Sequence, residues 1–218
     1  MLQAVPTKKG RGVEIWGSVE DLQHLYDLIL KIWGSEDETQ EELNRGKLIS
    51  SFSYEVRKTA MEAREVKVEN GKIFVGFISS WIHIIFSLSI LRFCSRKVML
   101  DISEQHTLSS IEDLIKTAMV DYDAKVGKEL TLYIESRLDA SNPYIYQYMR
   151  LINVKFMELM GGKSSFRQIP ELLKTGCFGT WEYDFYLKNL QRDAKRMHCN
   201  INDLDCDDDH IDYENLKW

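Results

Sequence analysis

Two short runs of alternating apolar and polar residues flank an Asn-Gly pair at positions 70–71. Residues 65–69 read Glu-Val-Lys-Val-Glu, and residues 72–78 return as Lys-Ile-Phe-Val-Gly-Phe-Ile. Alternation with a period of two is typical of strands, and Asn-Gly fits the two positive-φ positions of a type I′ turn. The pattern predicts a β-hairpin in which Val66 and Val68 share one face of the first strand and the charged residues share the other.

An apolar segment continues directly from this hairpin. No Asp, Glu, Lys or Arg occurs among the nineteen residues from Ile73 to Leu91, a length that approaches a membrane span. The same stretch contains Gly76, four serines and His83, and its first part alternates like a strand. A segment that is half strand and half helix cannot cross lipid, so we expect a buried core segment, with Ile85 at its centre, and no membrane span.

A second pair of alternating runs opens the chain. Residues 2–6 and 12–17 are separated by a basic, glycine-containing turn at 7–11. In the second run, Val13 and Ile15 would share one face. The two hairpins are predicted to pair into one antiparallel sheet of about four strands, with helices packed on one face.

Apolar residues at helical spacing follow the second run. Ser18 is suited to cap a helix, and Asp21 stands three residues later at the capping-box position. Apolar residues then recur every three or four positions up to Gly34, which predicts the end of this helix. A second helix is predicted over 40–63, after a polar loop at 35–39.

The second half of the chain has a mostly helical pattern. Thr107 or Ser109 is expected to cap a helix over 110–125, whereas 128–138 fits a strand and a helix equally well and stays open. Further helices are predicted after Asn142-Pro143, over 170–174, and after a capping Thr180.

No internal repeat and no Pro/Gly/Ser-rich linker interrupts this pattern. The sequence therefore predicts one α+β domain over 1–201, in which a small antiparallel sheet of two N-terminal hairpins packs against a mostly helical C-terminal half. Residues 202–218 are predicted to form an acidic, loosely held C-terminal tail.

Composition narrows the classes of function. The chain has 218 residues, of which 44% are hydrophobic and 28% charged, and its net charge is −6. A negative net charge argues against a dedicated nucleic-acid binder, because phosphate affinity comes mainly from Lys and Arg. The four cysteines are scattered, which suits free thiols in a reducing cytosol, and the first residues do not resemble a signal peptide. A cytoplasmic location is expected.

One pattern on the hairpin suggests catalysis. Glu65-Val66-Lys67 on a strand resembles the Glu-x-Lys of metal-dependent nucleases, in which a carboxylate binds Mg²⁺ and the lysine supports the attacking water. Such a site needs a second carboxylate on a neighbouring strand. The partner strand of the hairpin has none, so Glu14 on the other hairpin would have to be that second metal ligand. Alternating charges on a solvated strand face explain the same residues.

The C-terminal segment contains two candidate sets of metal ligands. In the first, Cys199, Cys206 and His210 offer sulfur and nitrogen to Zn²⁺, although their spacing matches no familiar zinc module.

The second is a calcium loop, with its acidic positions 1, 3, 5, 7 and 12 filled by Asp203, Asp205, Asp207, Asp209 and Glu214. Asp208 occupies position 6, where such a loop requires glycine. A solvated acidic arm without a metal is the simpler expectation, and no cofactor is expected.

Two short motifs carry a resemblance to known sequences. Gly12-Val13-Glu14-Ile15-Trp16-Gly17 followed by Asp21-Leu22 resembles the opening of certain uncharacterised bacterial proteins of about this length. Arg167-Gln168-Ile169-Pro170-Glu171-Leu172-Leu173 is similar to a later motif of the same proteins. The resemblance implies a small bacterial cytosolic protein and no particular activity.

The sequence favours a non-enzymatic function. It has no Gly-rich phosphate loop, nucleophile elbow, His-Glu-x-x-His or Cys-x-x-Cys. We expect a protein-interaction or accessory subunit of a bacterial cytosolic system, of the assembly, inhibitor or immunity type, whose acidic tail suits a basic protein partner. The alternative is a metal-dependent hydrolase or nuclease of unrecognised class that uses Glu14, Glu65 and Lys67.

Overall fold

A computed structural model describes residues 2–34, 40–62, 65–69, 71–204, 206, 208, 210–212 and 216–218, with the backbone alone for 40–43. The strands are β1 (Gln3–Pro6), β2 (Gly12–Gly17), β3 (Glu65–Glu69) and β4 (Lys72–Ser80). The helices are α1 (Val19–Trp33), α2 (Gln40–Glu62), α3 (Trp81–Ser95), α4 (Ile102–Tyr122), α5 (Ala124–Leu132), α6 (Ile145–Met157), α7 (Gly162–Phe166), α8 (Ile169–Leu173) and α9 (Trp181–Met197).

The four strands form one antiparallel sheet in the order β1-β2-β4-β3. Ile15 on β2 lies opposite Phe77 on β4, and Val66 on β3 lies opposite Val75 on β4. The predicted sheet of two N-terminal hairpins, packed against a helical C-terminal half, is therefore confirmed, and the fold class is α+β.

The inner face of the sheet supplies part of the core. Val13 and Ile15 have no exposed surface, and Val75 and Phe77 are 2% exposed. The ring of Phe52 on α2 lies 6.2 Å from that of Phe77, centroid to centroid. Alternation with a period of two thus buries one face of the central strands, as the sequence predicted.

The apolar segment divides at Ser80 into a strand and a helix. The Ser80 side chain accepts a hydrogen bond from the backbone N–H of His83 at 3.0 Å, and so caps α3. α3 is apolar on all sides because it packs against α1, α2 and α6 as well as the sheet. Ile85 is fully buried. None of the helices in the described ranges combines the length and apolar character that a membrane span requires.

The first two helices agree with their sequence signals. The Ser18 hydroxyl accepts from the Asp21 N–H at 3.1 Å, and the Asp21 carboxylate accepts from the Ser18 N–H at 3.0 Å, which is the predicted capping box. α1 ends at Trp33, and Gly34 is its C-cap. α2 ends at Glu62, next to the predicted end. The loop predicted at 35–39 lies outside the described residues.

The start of α4 was predicted wrongly. The helix begins at Ile102, and its cap is Asp101, which forms a capping box with Glu104, whereas Thr107 lies inside the helix. Local hydrogen bonding explains the difference, because Asp-x-x-Glu satisfies two of the free N–H groups at the helix start.

The region that fitted both a strand and a helix is helical. α5 runs on into a single π-helical turn, Tyr133–Arg137, and Leu130 and Ile134 are buried. The predicted Thr180 cap of α9 is confirmed, with the N–H of Tyr183 donating to the Thr180 hydroxyl at 3.2 Å.

The described residues of 202–218 lie against the domain. The carbonyl of Trp218 accepts from the N–H of Lys9 at 2.9 Å, and Arg150 on α6 pairs with Asp208 at 2.9 Å. Three apolar side chains of the segment pack on the core: Ile211, Leu216 and Trp218. A loosely held arm was expected from the acidic composition, and the apolar residues between the acids account for these contacts.

Candidate functional site

The three residues of the alternative hydrolase hypothesis, Glu14, Glu65 and Lys67, lie on the outer face of the sheet, away from the core. Trp16 on β2 and Glu65 on β3 both lie opposite Gly76 on β4. A Cβ atom at Gly76 would come within 2.5 Å of the Trp16 ring, so the indole lies directly over this glycine. A side chain at position 76 would displace the indole.

Lys67 is held in the middle of this face. Its ammonium donates to the Gln3 side-chain oxygen at 2.9 Å, lies 3.1 Å from a carboxylate oxygen of Glu69, and sits 4.8 Å from the Trp16 ring centroid. The Lys67 ammonium is thus held by ion-pair, hydrogen-bond and cation–π contacts with other residues of the same sheet.

Glu14 and Glu65 are not brought together. β4 lies between their strands, which are therefore two interstrand spacings, about 10 Å, apart, and the two residues are also offset by two positions along β4. Glu14 lies opposite Ile78 rather than Gly76 and accepts a hydrogen bond from the Trp16 indole at 3.1 Å. The structure therefore places the three residues on one surface of the sheet, with Glu14 and Glu65 on strands that do not pair with each other.

The structure separates the zinc candidates in the C-terminal segment. The His210 imidazole lies 3.0 Å from the Glu158 carboxylate, and the Cys199 N–H bonds to the Ala194 carbonyl at the end of α9. Across the described ranges, no group of three or more His, Cys, Asp or Glu side chains could hold a metal ion, and Cys199, Cys206 and His210 form no such group.

Most of the calcium-loop candidates cannot be placed. Asp205, Asp207, Asp209 and Glu214 lie outside the described residues. Asp203 is the last residue of a short 3₁₀ turn, Ile201–Asp203, and its side chain accepts a hydrogen bond at 3.3 Å from the N–H of Asn200, which caps the turn.

The β3–β4 hairpin exposes apolar side chains on the face of the sheet that is buried in the central strands. Val66, Val68 and Ile73 lie on the same side of the sheet as the buried Val75 and Phe77. Nevertheless they are 55%, 67% and 65% exposed. The hairpin therefore extends beyond the helical layer that covers the rest of this face.

β3 is also an edge strand. It pairs with β4 on one side, and no described element pairs with its other side. Its free edge presents backbone N–H and C=O groups next to exposed valines. The opposite face of the strand carries alternating charges, from Glu65, Lys67 and Glu69. β3 therefore has one apolar face and one charged face. We call Glu65–Glu69 together with Ile73 the β3 edge.

A polar cavity of about 260 Å³ lies where β4 meets α3. His83 borders it, with Nδ1 at 3.3 Å from the Ser79 hydroxyl, and its Nε2 atom is shielded from solvent without a hydrogen-bond partner. The ring as a whole keeps some exposed surface, through its other atoms. Burial lowers the pKa of His83 to about 4, so the imidazole is neutral near pH 7.

This burial predicts a pH-dependent stability. The unfolded chain takes up the His83 proton near the ordinary pKa of 6.5 and the folded chain only near 4, so stability is complete above pH 6.5 and falls as the pH drops toward 4. We expect a loss of up to about 3 kcal/mol from this group. Urea unfolding across this range should show the loss in the wild type and a smaller one in His83→Gln. Equal pH profiles for the two proteins would contradict the prediction.

Comparisons with known proteins identify the family of this chain but assign it no activity. The family described as "Domain of unknown function (DUF6904)" matches residues 2–218, which include both motifs that resemble uncharacterised proteins. Neither the search of curated proteins nor the search of solved structures found a match. Because the match covers nearly the whole chain, this protein belongs to the DUF6904 family.

Proposed function

We propose that this chain is a non-enzymatic protein-interaction or accessory subunit of a bacterial cytosolic system, which binds a protein partner at the β3 edge. The observation that carries the proposal is the exposure of Val66 and Val68 on an edge strand whose outer side pairs with no described element, together with the exposure of Ile73 beside them on β4. An extended segment of a partner would add a fifth strand there, and its backbone would satisfy the free N–H and C=O groups.

The charges of β3 indicate the chemistry of the partner segment. Its outer face carries two carboxylates, Glu65 and Glu69, on either side of Lys67. Lys67 already contacts Glu69 and Gln3, so Glu65 is the most available charge for a partner. Opposite charges on facing strands stabilise a pair by about 0.2–1 kcal/mol each. A partner segment with basic residues on this face and apolar residues facing the valines is therefore favoured.

The same pattern disfavours a second copy of this chain as the partner. If two β3 strands paired antiparallel with full overlap, Glu65 would face Glu69 of the other copy and Lys67 would face Lys67. Like charges directly opposite each other destabilise strand pairing, and charged edge residues commonly protect a free edge from self-association. A different protein is thus the expected occupant.

Site-specific photo-crosslinking in the cells that naturally make this chain tests the proposal. A photoreactive residue at Val68 should give one discrete protein adduct, which a Val66→Asp change in the same chain abolishes. The matched control is Met99, which is 92% exposed and lies in the turn between α3 and α4. No adduct should form from that position.

Two results would contradict the proposal. Adducts of equal yield from positions 68 and 99 would mean that the apolar edge has no special affinity. A dimer of this chain as the sole adduct would assign the edge to self-association. Val66→Asp should leave the melting temperature within about 2 °C of the wild type, because substitution of an exposed residue usually changes stability by under about 0.5 kcal/mol.

A further inference from the structure

Two arginines at the end of α3 border two cavities. Arg92 and Arg96 are four residues apart, so their side chains leave the same face of the helix. Both border a cavity of about 400 Å³ between α3 and α4. Both also border a second cavity of about 220 Å³, which is lined on its other side by residues 135–141.

The carboxylates around these cavities already have partners. Glu112, which is 3% exposed, accepts from the Arg92 guanidinium at 2.8 Å and lies 3.5 Å from the Lys116 ammonium. Glu135 lies 2.9 Å from Lys116. The lining of the larger cavity thus carries two guanidinium groups, Arg92 and Arg96, and one carboxylate, Glu112, which leaves one positive charge in excess there.

The third carboxylate is also satisfied. Asp139 accepts from the Tyr183 hydroxyl at 2.8 Å and from the Ser141 hydroxyl at 2.5 Å. The side chain of Arg96 makes no hydrogen bond or ion pair with any described residue. In addition, the Arg92 Nε–H is shielded from solvent and has no acceptor, although most buried donors have one.

We propose that the cavities around Arg92 and Arg96 bind the phosphate group of a small phosphomonoester. A guanidinium group binds a phosphate through two parallel N–H···O bonds, and a phosphate has enough oxygens to bridge two guanidinium groups. The remaining volume admits the rest of a metabolite-sized molecule. This site uses α3, α4 and residues 135–141, and is independent of the β3 edge.

Thermal melting of the full chain at constant ionic strength tests the site, with inorganic phosphate and glycerol 3-phosphate as probes. Both should raise the melting temperature of the wild type in a saturable way. Arg96→Gln should weaken the fitted affinity about tenfold or more, since it removes one bidentate, charge-assisted contact. Arg96 is exposed and bonds no described residue, so this variant should fold normally.

The matched control is Arg192→Gln, which removes the same charge from an arginine on α9 whose side chain is 72% exposed. Its phosphate response should equal that of the wild type. The proposal is overturned if neither probe stabilises the wild type, or if Arg96→Gln and Arg192→Gln respond alike. Phosphatidylcholine vesicles containing phosphatidic acid distinguish the source of the phosphate: Arg96-dependent co-sedimentation would identify a lipid headgroup and overturn the small-molecule assignment.

Discussion

Ile85→Asp is expected to prevent folding. Ile85 is fully buried in the middle of α3, which packs against three helices and the sheet. An unpaired carboxylate in an apolar core costs several kcal/mol, comparable with a total stability of about 5–15 kcal/mol. The variant should express in insoluble form or lack a cooperative thermal transition, as followed by circular dichroism.

The volume-conserving change Ile85→Leu is the control, and it should cost less than about 1.5 kcal/mol. It separates the effect of the charge from the effect of reshaping the core. A soluble Ile85→Asp protein that melts like the wild type would contradict the placement of α3 at the centre of the fold.

Removal of residues 203–218 is expected to destabilise the domain. The segment places Ile211, Leu216 and Trp218 against the core and adds the Arg150–Asp208 ion pair. Because these side chains are only partly buried, we expect a loss of about 3 kcal/mol. For a domain of this size the melting temperature should fall by roughly 5–10 °C.

A chain ending at Asn202 keeps the contacts of its last residue, since the Asn44 side chain donates to Asn202 at 2.7 Å. Trp218→Ala should reproduce part of the loss, and Lys217→Ala, at an exposed position, none of it. If the shortened chain melts at the temperature of the intact one, residues 203–218 behave as a free acidic arm, as composition alone suggested.

Local signals in the sequence predicted most elements of the fold. The Ser18–Asp21 capping box and the Thr180 cap each depend on residues within four positions of one another, so the chain specifies them locally. The Asn-Gly turn predicted at 70–71 is not counted with them, because Asn70 lies outside the described residues. The same local chemistry occurs at Asp101 and Glu104, whereas the predicted cap was Thr107 or Ser109, so the start of α4 was predicted too late. That signal was present in the sequence.

The two proposed binding surfaces could not be predicted in this way. The alternating Val66 and Val68 indicate which face of β3 is apolar, whereas their exposure depends on where α2 stops covering the sheet. Likewise, the availability of Arg96 depends on Glu112 and Glu135 being paired with other residues. Such facts arise from packing between distant parts of the chain, which no local pattern encodes.

Hydrogen exchange at the backbone amides of β3 tests the central claim most directly. The measurement compares the isolated chain with the complex purified through a tag on the chain. We predict that the β3 amides that face the free edge exchange rapidly in the isolated chain, as expected for an edge strand, and become protected in the complex, while those of α9 are unchanged. Protection that appears elsewhere and leaves β3 unchanged would contradict strand addition at this edge.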